Sequence, residues 1–482
     1  MDARTDIATT PLAVDLDGTL IAGDLLFEVL FKLLRRKPWL IVLLPFWLAR
    51  GKAHFKHEIF CRVAPQPDEL NYRQTVVDYI VEQRAAGRYT VLATASDSNH
   101  AQAIADHLGI FDEVMGSTRT QNLRSAAKAA RLQQRFGEAG FDYMGNSVDD
   151  IDVFEAARKA IAVAPDAKAR AWARRNDAPM LADEATATLR DYLKMMRLHQ
   201  WAKNTLIAVP IILDHKVLDF TMVLSVVVAF FAFSFLASAV YIFNDLFDLS
   251  MDRKHPTKSR RPLAAGRVPI GSAIRIAIAL SATSVVLTLT LAWPFWVVMG
   301  IYLFVTTVYS VRAKQWLLVD VLVLAGLYTI RILAGAAATL IEPSFWLLAF
   351  SLFFFLSLAL VKRYVELDQS DIDEKAKLSG RGYRPEDKDV VAQSGVASGF
   401  AAIVVLALYL DSEAVYELYQ FPWMVWPLCP LVLYIIMRMW VLARRREFNE
   451  DPVVFIMTDW RSQVMIFVGA SLLLFAALFN HV

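Results

Sequence analysis

Hydrophobic and polar positions divide this chain into two unlike parts. Over roughly the first 190 residues, short apolar runs such as LAV at 12–14 and VLA at 91–93 alternate with amphipathic stretches, the pattern of an α/β domain. Beyond residue 200 the pattern changes. Apolar runs cover 203–213, 220–243, 271–290, 292–310, 317–340, 343–361, 395–411, 423–442 and 462–480. A helix needs about 20 apolar residues to cross a bilayer, and most of these runs qualify, although the first is short and interrupted by Pro210. Together they predict an all-α bundle of about nine membrane helices.

The loops between these runs alternate in basic content. Those holding Arg253 to Arg267, Arg312 with Lys314, Lys362 to Lys388, and Arg444 to Arg446 are rich in Lys and Arg, whereas the intervening loops hold only Lys216. The positive-inside rule puts the basic loops in the cytoplasm. The N-terminal stretch MDARTDIATTPLAVD carries acids and runs into a short strand, so it predicts no secretory signal and an N-terminal domain on that same side. The expectation is a multi-pass protein of the inner or plasma membrane.

Composition agrees with a divided chain. Its 482 residues are 56% hydrophobic, and the mean hydropathy is +0.40. Such a length exceeds one core, and we divide it into 1–165, a connector at 166–195, and a membrane domain at 196–482. The net charge of +2 gives no basis for a nucleic-acid partner. Two cysteines, Cys61 and Cys429, make neither a disulfide framework nor a thiolate metal site.

The densest chemistry lies at 244–266, NDLFDLSMDRKHPTKSRRPLAAG, between two membrane runs. Asn244, Asp245, Asp248 and Asp252 recur every three or four residues, so one helix would aim all four to one side. Arg253, Lys254, Lys258, Arg260 and Arg261 follow. Carboxylates suited to Mg²⁺ beside cations, at the mouth of a membrane bundle, point to a phosphorylated lipid. Polar residues within or beside the runs extend the candidate site: Lys203, Asn204, Tyr309, Asp320 and Arg331, then Lys362, Arg363 and Glu366. Asp368, Asp371 and Asp373 continue that last segment, as further ligands or as a solvated loop.

The spacing at 244–252 resembles the NDxxDxxxD signature of the UbiA superfamily of intramembrane prenyltransferases. The resemblance implies that Asp245, Asp248 and Asp252 hold Mg²⁺ against a substrate diphosphate, with Asn244 in the same catalytic motif. Finer likenesses, RLHQWAKN at 197–204, HPTKSRRPLAAG at 255–266, Tyr309–Ser310 with Lys314 and Asp320, and KRYVEL at 362–367, are similar to decaprenyl-phosphate phosphoribosyltransferases. That branch implies transfer of 5-phosphoribosyl from phosphoribosyl diphosphate to a polyprenyl phosphate. Lys203, Asn204, Lys258, Arg261, Tyr309, Lys314, Arg331, Lys362, Arg363 and Glu366 would then bind substrate. The alternative is an aromatic prenyltransferase with a polyprenyl diphosphate donor and a regulatory or structural N-terminal domain.

The N-terminal part carries a second resemblance. LAVDLDGTL at 12–20, VLATAS at 91–96, Lys128 in NLRSAAKAARL, and YMGNSVDD at 143–150 occur in the order of the motifs of haloacid dehalogenase (HAD) phosphatases. The resemblance implies an α/β Rossmann-like fold with Asp15 as nucleophile and Asp17 as acid/base. It also implies Thr94 and Lys128 on the phosphoryl group, and Mg²⁺ held by Asp15, Asp17, Asn146 and Asp150. Asn146 replaces the usual acidic ligand, and Asp149 stands beside Asp150 as a compensating acid. Residues 21–85 look like a helical HAD cap. Within it PWLIVLLPFWLA at 38–49, flanked by Arg35, Arg36, Lys37 and Arg50, is at roughly twelve residues too short to span. It reads either as an interfacial segment or as a buried cap helix. DPVVFIMTD at 451–459 is distinctive and receives no role from the sequence.

Overall fold

The computed structural model describes residues 10–118, 121–181, 187–370, 382–419, 421–448 and 451–478. They pack as two units: residues up to Met195 with Ile242–Arg275, and Met196–Tyr241 with Ile276 onward.

In the first unit, six parallel strands lie in the order β3-β2-β1-β4-β5-β6. They are β1 (Leu12–Val14), β2 (Thr90–Asp97), β3 (Glu113–Ser117), β4 (Asp142–Gly145), β5 (Lys159–Val163) and β6 (Met180–Leu181). Ala13 stands opposite Val91 on one side and Tyr143 on the other. Successive strand residues alternate between two cores. Leu12, Val14, Leu92, Met144 and Ile161 enter one, while Ala13, Val91, Ala93, Tyr143 and Ala160 enter the other. Burial on both faces is what a parallel sheet requires, and it accounts for the continuous apolar runs. The strand order reverses at β1, so the carboxyl ends of β1, β2 and β4 form the crevice where such sheets hold ligands. β6 and the helix Ala167–Arg175 lie within the stretch that the sequence reads as a connector.

Helices fill the insert between β1 and β2. Leu25–Arg36 is N-capped by Asp24, whose carboxylate accepts from the Leu26 amide at 2.9 Å. The apolar segment follows as a 3₁₀ turn, Pro38–Leu43, and a short helix, Leu44–Ala49. Leu40 and Trp47 are buried, but Trp39, Val42 and Phe46 are each about two-thirds exposed (65, 66 and 65%). The segment is therefore not a buried cap helix.

The second unit is a helical bundle. Among the described residues, the helices long and apolar enough to span number seven: Phe220–Phe247, Ile270–Leu289, Trp293–Val311, Val319–Thr339, Phe345–Asp368, Pro385–Leu410 and Trp423–Arg444. The pair Pro452–Thr458 and Trp460–Ala476, bent by 78°, makes an eighth if counted as one span. The count thus falls just below the expected nine, because the 203–213 run is no span. It forms a 3₁₀ stretch, Leu198–Ala208, and a five-residue helix, Val209–Leu213. Pro210 lacks an amide proton and sits in the first turn of that short helix, where none is needed. This segment packs tightly on Val319–Thr339: a Cβ at Gly335 would lie 1.9 Å from the Ile207 carbonyl oxygen.

Candidate active sites

Asp15 leaves the end of β1 into the crevice of the first unit. Its Oδ1 accepts from Lys128 Nζ at 2.7 Å, and the same ammonium reaches the Tyr143 hydroxyl at 2.7 Å and Asp150 Oδ1 at 3.2 Å. All these groups are buried. Two carboxylates therefore share one ammonium. Burial is the main reason that Asp15 is pushed up to about 8; Lys128 opposes the shift, and Asp150 and Asp17 add to it. For Lys128, burial works against the charged form, yet the two carboxylates outweigh it and hold the ammonium above the usual lysine value. Asp150 is lowered despite its burial, by Lys128, Tyr143 and the backbone amides of Ser147 and Asn146. Asp150 thus anchors the β4 loop as well as Lys128.

The rest of this site is set by the loop after β1. Asp17 accepts from the Leu25 amide at 2.8 Å and from the Ser96 hydroxyl at 2.8 Å, which ties it to the cap helix and to β2. Thr19 Oγ1 lies 3.5 Å from Asp15 Oδ2 and 3.4 Å from Asn146 Oδ1, so these two oxygens share a neighbour. Gly18, at φ +79°, permits that approach: a Cβ there would come within 2.1 Å of the Asn146 side-chain nitrogen. Thr94 is wholly buried, and its hydroxyl accepts from the Ser96 amide. Ser96, which sequence reasoning passed over, is the hydroxyl that reaches a catalytic-motif carboxylate. Asp149, at the cavity wall, pairs with Arg124 at 2.7 Å.

These side chains line a cavity of about 1370 Å³. Asp15, Asp17, Lys128, Asn146 and Asp150 face it, and Thr94 does not. Leu26, Phe27 and His57 of the cap form part of the wall. So do Gly266, Arg267, Pro269, Ile270 and Gly271, which lead from the aspartate-rich stretch into the helix Ile270–Leu289.

That stretch is not one continuous helix. The helix Phe220–Phe247 ends, Asp248 stands at the junction with φ −96° and ψ 8°, and a second helix runs over Leu249–Lys254. Asn244 closes the first through its carbonyl, which accepts from the Asp248 amide at 3.0 Å. Asp245 and Asp252 nevertheless converge. Both accept from Arg261 Nη1, at 3.0 and 2.6 Å. Asp248 faces Arg35 of the cap at 3.7 Å. Arg253 grips Glu28 of the cap helix with two bonds of 2.9 Å, and Lys254 lies 3.4 Å from Glu69. Lys258 stands in the turn Lys258–Arg260 just before Arg261.

The second unit holds two buried polar clusters. In the first, Asp451 accepts from Lys203 at 2.6 Å, Lys362 at 3.4 Å and the Tyr328 hydroxyl at 3.1 Å, and it caps its own helix through the Val453 amide. Asn204 joins Ser234 at 2.8 Å and Arg331 at 2.9 Å, and the Arg331 guanidinium lies over the rings of Phe233, Tyr302 and Tyr328. In the second cluster Arg363 pairs with Asp320 at 2.6 Å and with Glu366, while Tyr383 donates to Asp320 at 2.6 Å. Tyr309 lies near the end of its helix, half-buried against an apolar core, and Lys314 sits in the turn Ala313–Gln315. Asp368 pairs with Lys388 at 2.5 Å and with Arg446; Asp371 and Asp373 lie outside the described residues.

A profile of the UbiA prenyltransferase family matches residues 205–478. The chain belongs to the UbiA prenyltransferase family. A profile of haloacid dehalogenase-like hydrolases matches residues 12–155, so this UbiA-family chain carries a HAD-like domain at its N-terminus. The uncharacterized protein y4nM of Sinorhizobium fredii is 39% identical over 466 residues, which cover 95% of this chain and 89% of that relative. Decaprenyl-phosphate phosphoribosyltransferase of Mycobacterium tuberculosis is 41% identical over 179 residues, 36% of this chain and 59% of that relative. A solved UbiA homolog from Archaeoglobus fulgidus bound to GPP and Mg²⁺ covers 60% of this chain and 99% of its own, at 16% identity and a TM-score of 0.46. The UbiA-family part makes this a multi-pass membrane protein.

Do the residues of this UbiA-family chain fit a divalent cation? Among the described residues, no three His, Cys, Asp or Glu side chains converge as a ready-made cage. Mg²⁺ asks for less, since it is commonly held by one or two carboxylates with water and phosphate oxygens completing its shell. In the UbiA motif, Asp245 and Asp252 meet that requirement, with the Arg261 guanidinium standing in for a cation between them. In the HAD site, Asp15 with the Asn146 amide oxygen meets it, because both residues line the cavity and both oxygens face the same Thr19 hydroxyl. Both donor sets fit.

Proposed function

We propose that this UbiA-family protein transfers 5-phosphoribosyl from phosphoribosyl diphosphate to a polyprenyl phosphate, and that its HAD domain then removes the 5-phosphate. The observation that carries this reading is the wall of the hydrolase cavity. Its residues run directly into a membrane helix at Ile270, as a lipid-borne phosphate would need, and its volume exceeds what a small soluble phosphate fills. The 41% identity to a decaprenyl-phosphate phosphoribosyltransferase supports the same donor and acceptor. The alternating basic loops support a cytoplasmic placement for the HAD domain and the aspartate motif.

In the transfer, Asp245 and Asp252 would hold the cation, and Lys258 and Arg261 bind the departing diphosphate. A phosphate oxygen of the lipid attacks C1 of the ribose as the diphosphate leaves. In the hydrolysis, Asp15 attacks the phosphorus of the 5-phosphate, and Asp17 gives a proton to the departing ribose oxygen. Asp17 then takes a proton from the water that releases phosphate from Asp15. Lys128 holds Asp15 in place and offsets charge throughout. When bound, Mg²⁺ neutralises phosphate charge that would otherwise repel these carboxylates.

Membranes containing the full chain, given phosphoribosyl diphosphate labelled in the ribose together with polyprenyl phosphate, should move label into lipid. Asp245→Asn should abolish that transfer and spare hydrolysis. Asp15→Asn should spare transfer and let the phosphorylated lipid accumulate. Absence of ribosyl label from the lipid, with prenylation of an aromatic acceptor in its place, overturns the reading.

A further inference from the structure

We propose that the cap segment Pro38–Ala49 is a membrane-surface anchor, inserted among anionic lipid headgroups at the face of the bilayer that the HAD cavity must reach. Three independent features lead there. The first is exposure. Trp39, Ile41, Val42, Phe46 and Leu48 are each more than half exposed, while Leu40 and Trp47 hold the segment to the cap from behind. Such a contiguous apolar surface, left in water, marks an interaction site.

The second is charge. Arg36 and Lys37 precede the segment and Arg50 follows it, all exposed. Basic flanks around an apolar, Trp-bearing segment too short to span are what an anionic headgroup layer attracts. The third is position. The segment continues from the helix Leu25–Arg36, whose Phe31 ring meets Phe247 edge-on at 5.5 Å. Phe247 is the last residue of a 28-residue helix. At 1.5 Å per residue that helix is about 42 Å long, more than the ~30 Å hydrocarbon core, so its end emerges at the headgroup layer. The chain after Arg36 thus leaves the cap at headgroup depth.

An anchor here acts through the cap. His57 and Phe60, on the helix that follows the segment, line the cavity that holds Asp15. Seating the segment in the bilayer holds that wall of the cavity at the membrane surface, where a phosphate on a lipid is found. This last step rests on the proposed phosphatase reaction; the anchoring itself does not.

Site-directed spin labelling of the full chain tests it. In a Cys61→Ser, Cys429→Ala background, nitroxides at Val42→Cys and Phe46→Cys are compared in phosphatidylglycerol-containing proteoliposomes. Glu138→Cys serves as a water-facing reference and Phe304→Cys as a lipid-facing one. Anchoring predicts frequent collision with oxygen and infrequent collision with a water-soluble nickel chelate, as at Phe304→Cys. Nickel collision as frequent as at Glu138→Cys overturns it. Exclusion of both reagents also overturns it, because protein, such as a second copy, then covers the segment. As a second readout, the Trp39→Glu, Phe46→Glu double variant should lose hydrolysis of the lipid-borne phosphate and keep that of soluble ribose 5-phosphate. If the wild type hydrolyses neither, the phosphatase reading fails and the labelling result still decides the anchor.

Discussion

The ion pair between Glu28 and Arg253 offers a direct test of how the aspartate motif is held. The partners lie 225 positions apart, are joined by two bonds of 2.9 Å, and each keeps only 11% of its side-chain surface exposed. In Glu28→Gln the guanidinium keeps a neutral acceptor in place of a carboxylate, with the Glu69 carbonyl 3.5 Å away. Breaking a fully buried pair costs about 3–5 kcal/mol, and the residual exposure here trims that to about 2–3 kcal/mol. At 1.4 kcal/mol per factor of ten, amides of the helix Leu249–Lys254 should exchange about 30- to 140-fold faster. Hydrogen–deuterium exchange on the full chain in detergent reads this locally, without assuming that a two-unit protein unfolds in one step. Arg253→Met should match it, and the double variant should lose less than the sum of the singles, because no charge is then left buried alone. Unchanged exchange in that helix, or strictly additive singles, would show that the pair does not hold the motif.

Lys128→Met should cut phosphatase turnover sharply, though by less than Asp15→Asn, because it keeps the attacking carboxylate and leaves Asp15 and Asp150 facing each other without their ammonium; steady-state hydrolysis of the isolated phosphorylated lipid checks it. Asp451→Asn removes the charge against which Lys203 and Lys362 are held, so ribosyl transfer should fall while hydrolysis stays at the wild-type rate, and equal loss of both would point to misfolding. Gly335→Ala places a methyl group against the Ile207 backbone carbonyl, which no rotamer change relieves. A loss of about 1–3 kcal/mol is expected, read as a lower midpoint for thermal inactivation of transfer.

Much of the fold and part of each candidate site were legible along the chain, and the division has a physical basis. Strand residues such as Val91 and Met144 and spans such as 220–247 announce themselves because burial in a parallel sheet or a bilayer demands continuous apolar runs. The loop after β1 was legible because Asp15, Asp17 and Gly18 are neighbours within one tight turn. Lys203 and Lys362 were found as cations within an apolar context, but their shared partner Asp451 was seen without a role. An N-capping Asp before a Pro looks like a helix start on the chain, and it is one; only the folded bundle brings two lysines and Tyr328 to the same carboxylate.

By itself, then, the sequence determined the two architectures and the families to which they lead, and it named candidate acids for each site. It did so because periodicity, span length and local motif spacing are properties of neighbours. Tertiary structure alone decided that Ser96 rather than Thr94 reaches Asp17, that Asp149 pairs with Arg124, and that Arg261 bridges Asp245 and Asp252. It also decided that the aspartate motif is clasped by the cap through Glu28, and that the 38–49 segment turns its large side chains outward. Each is a meeting, or a failure to meet, of side chains whose separation in space is independent of their separation along the chain, and charge and burial act on the former.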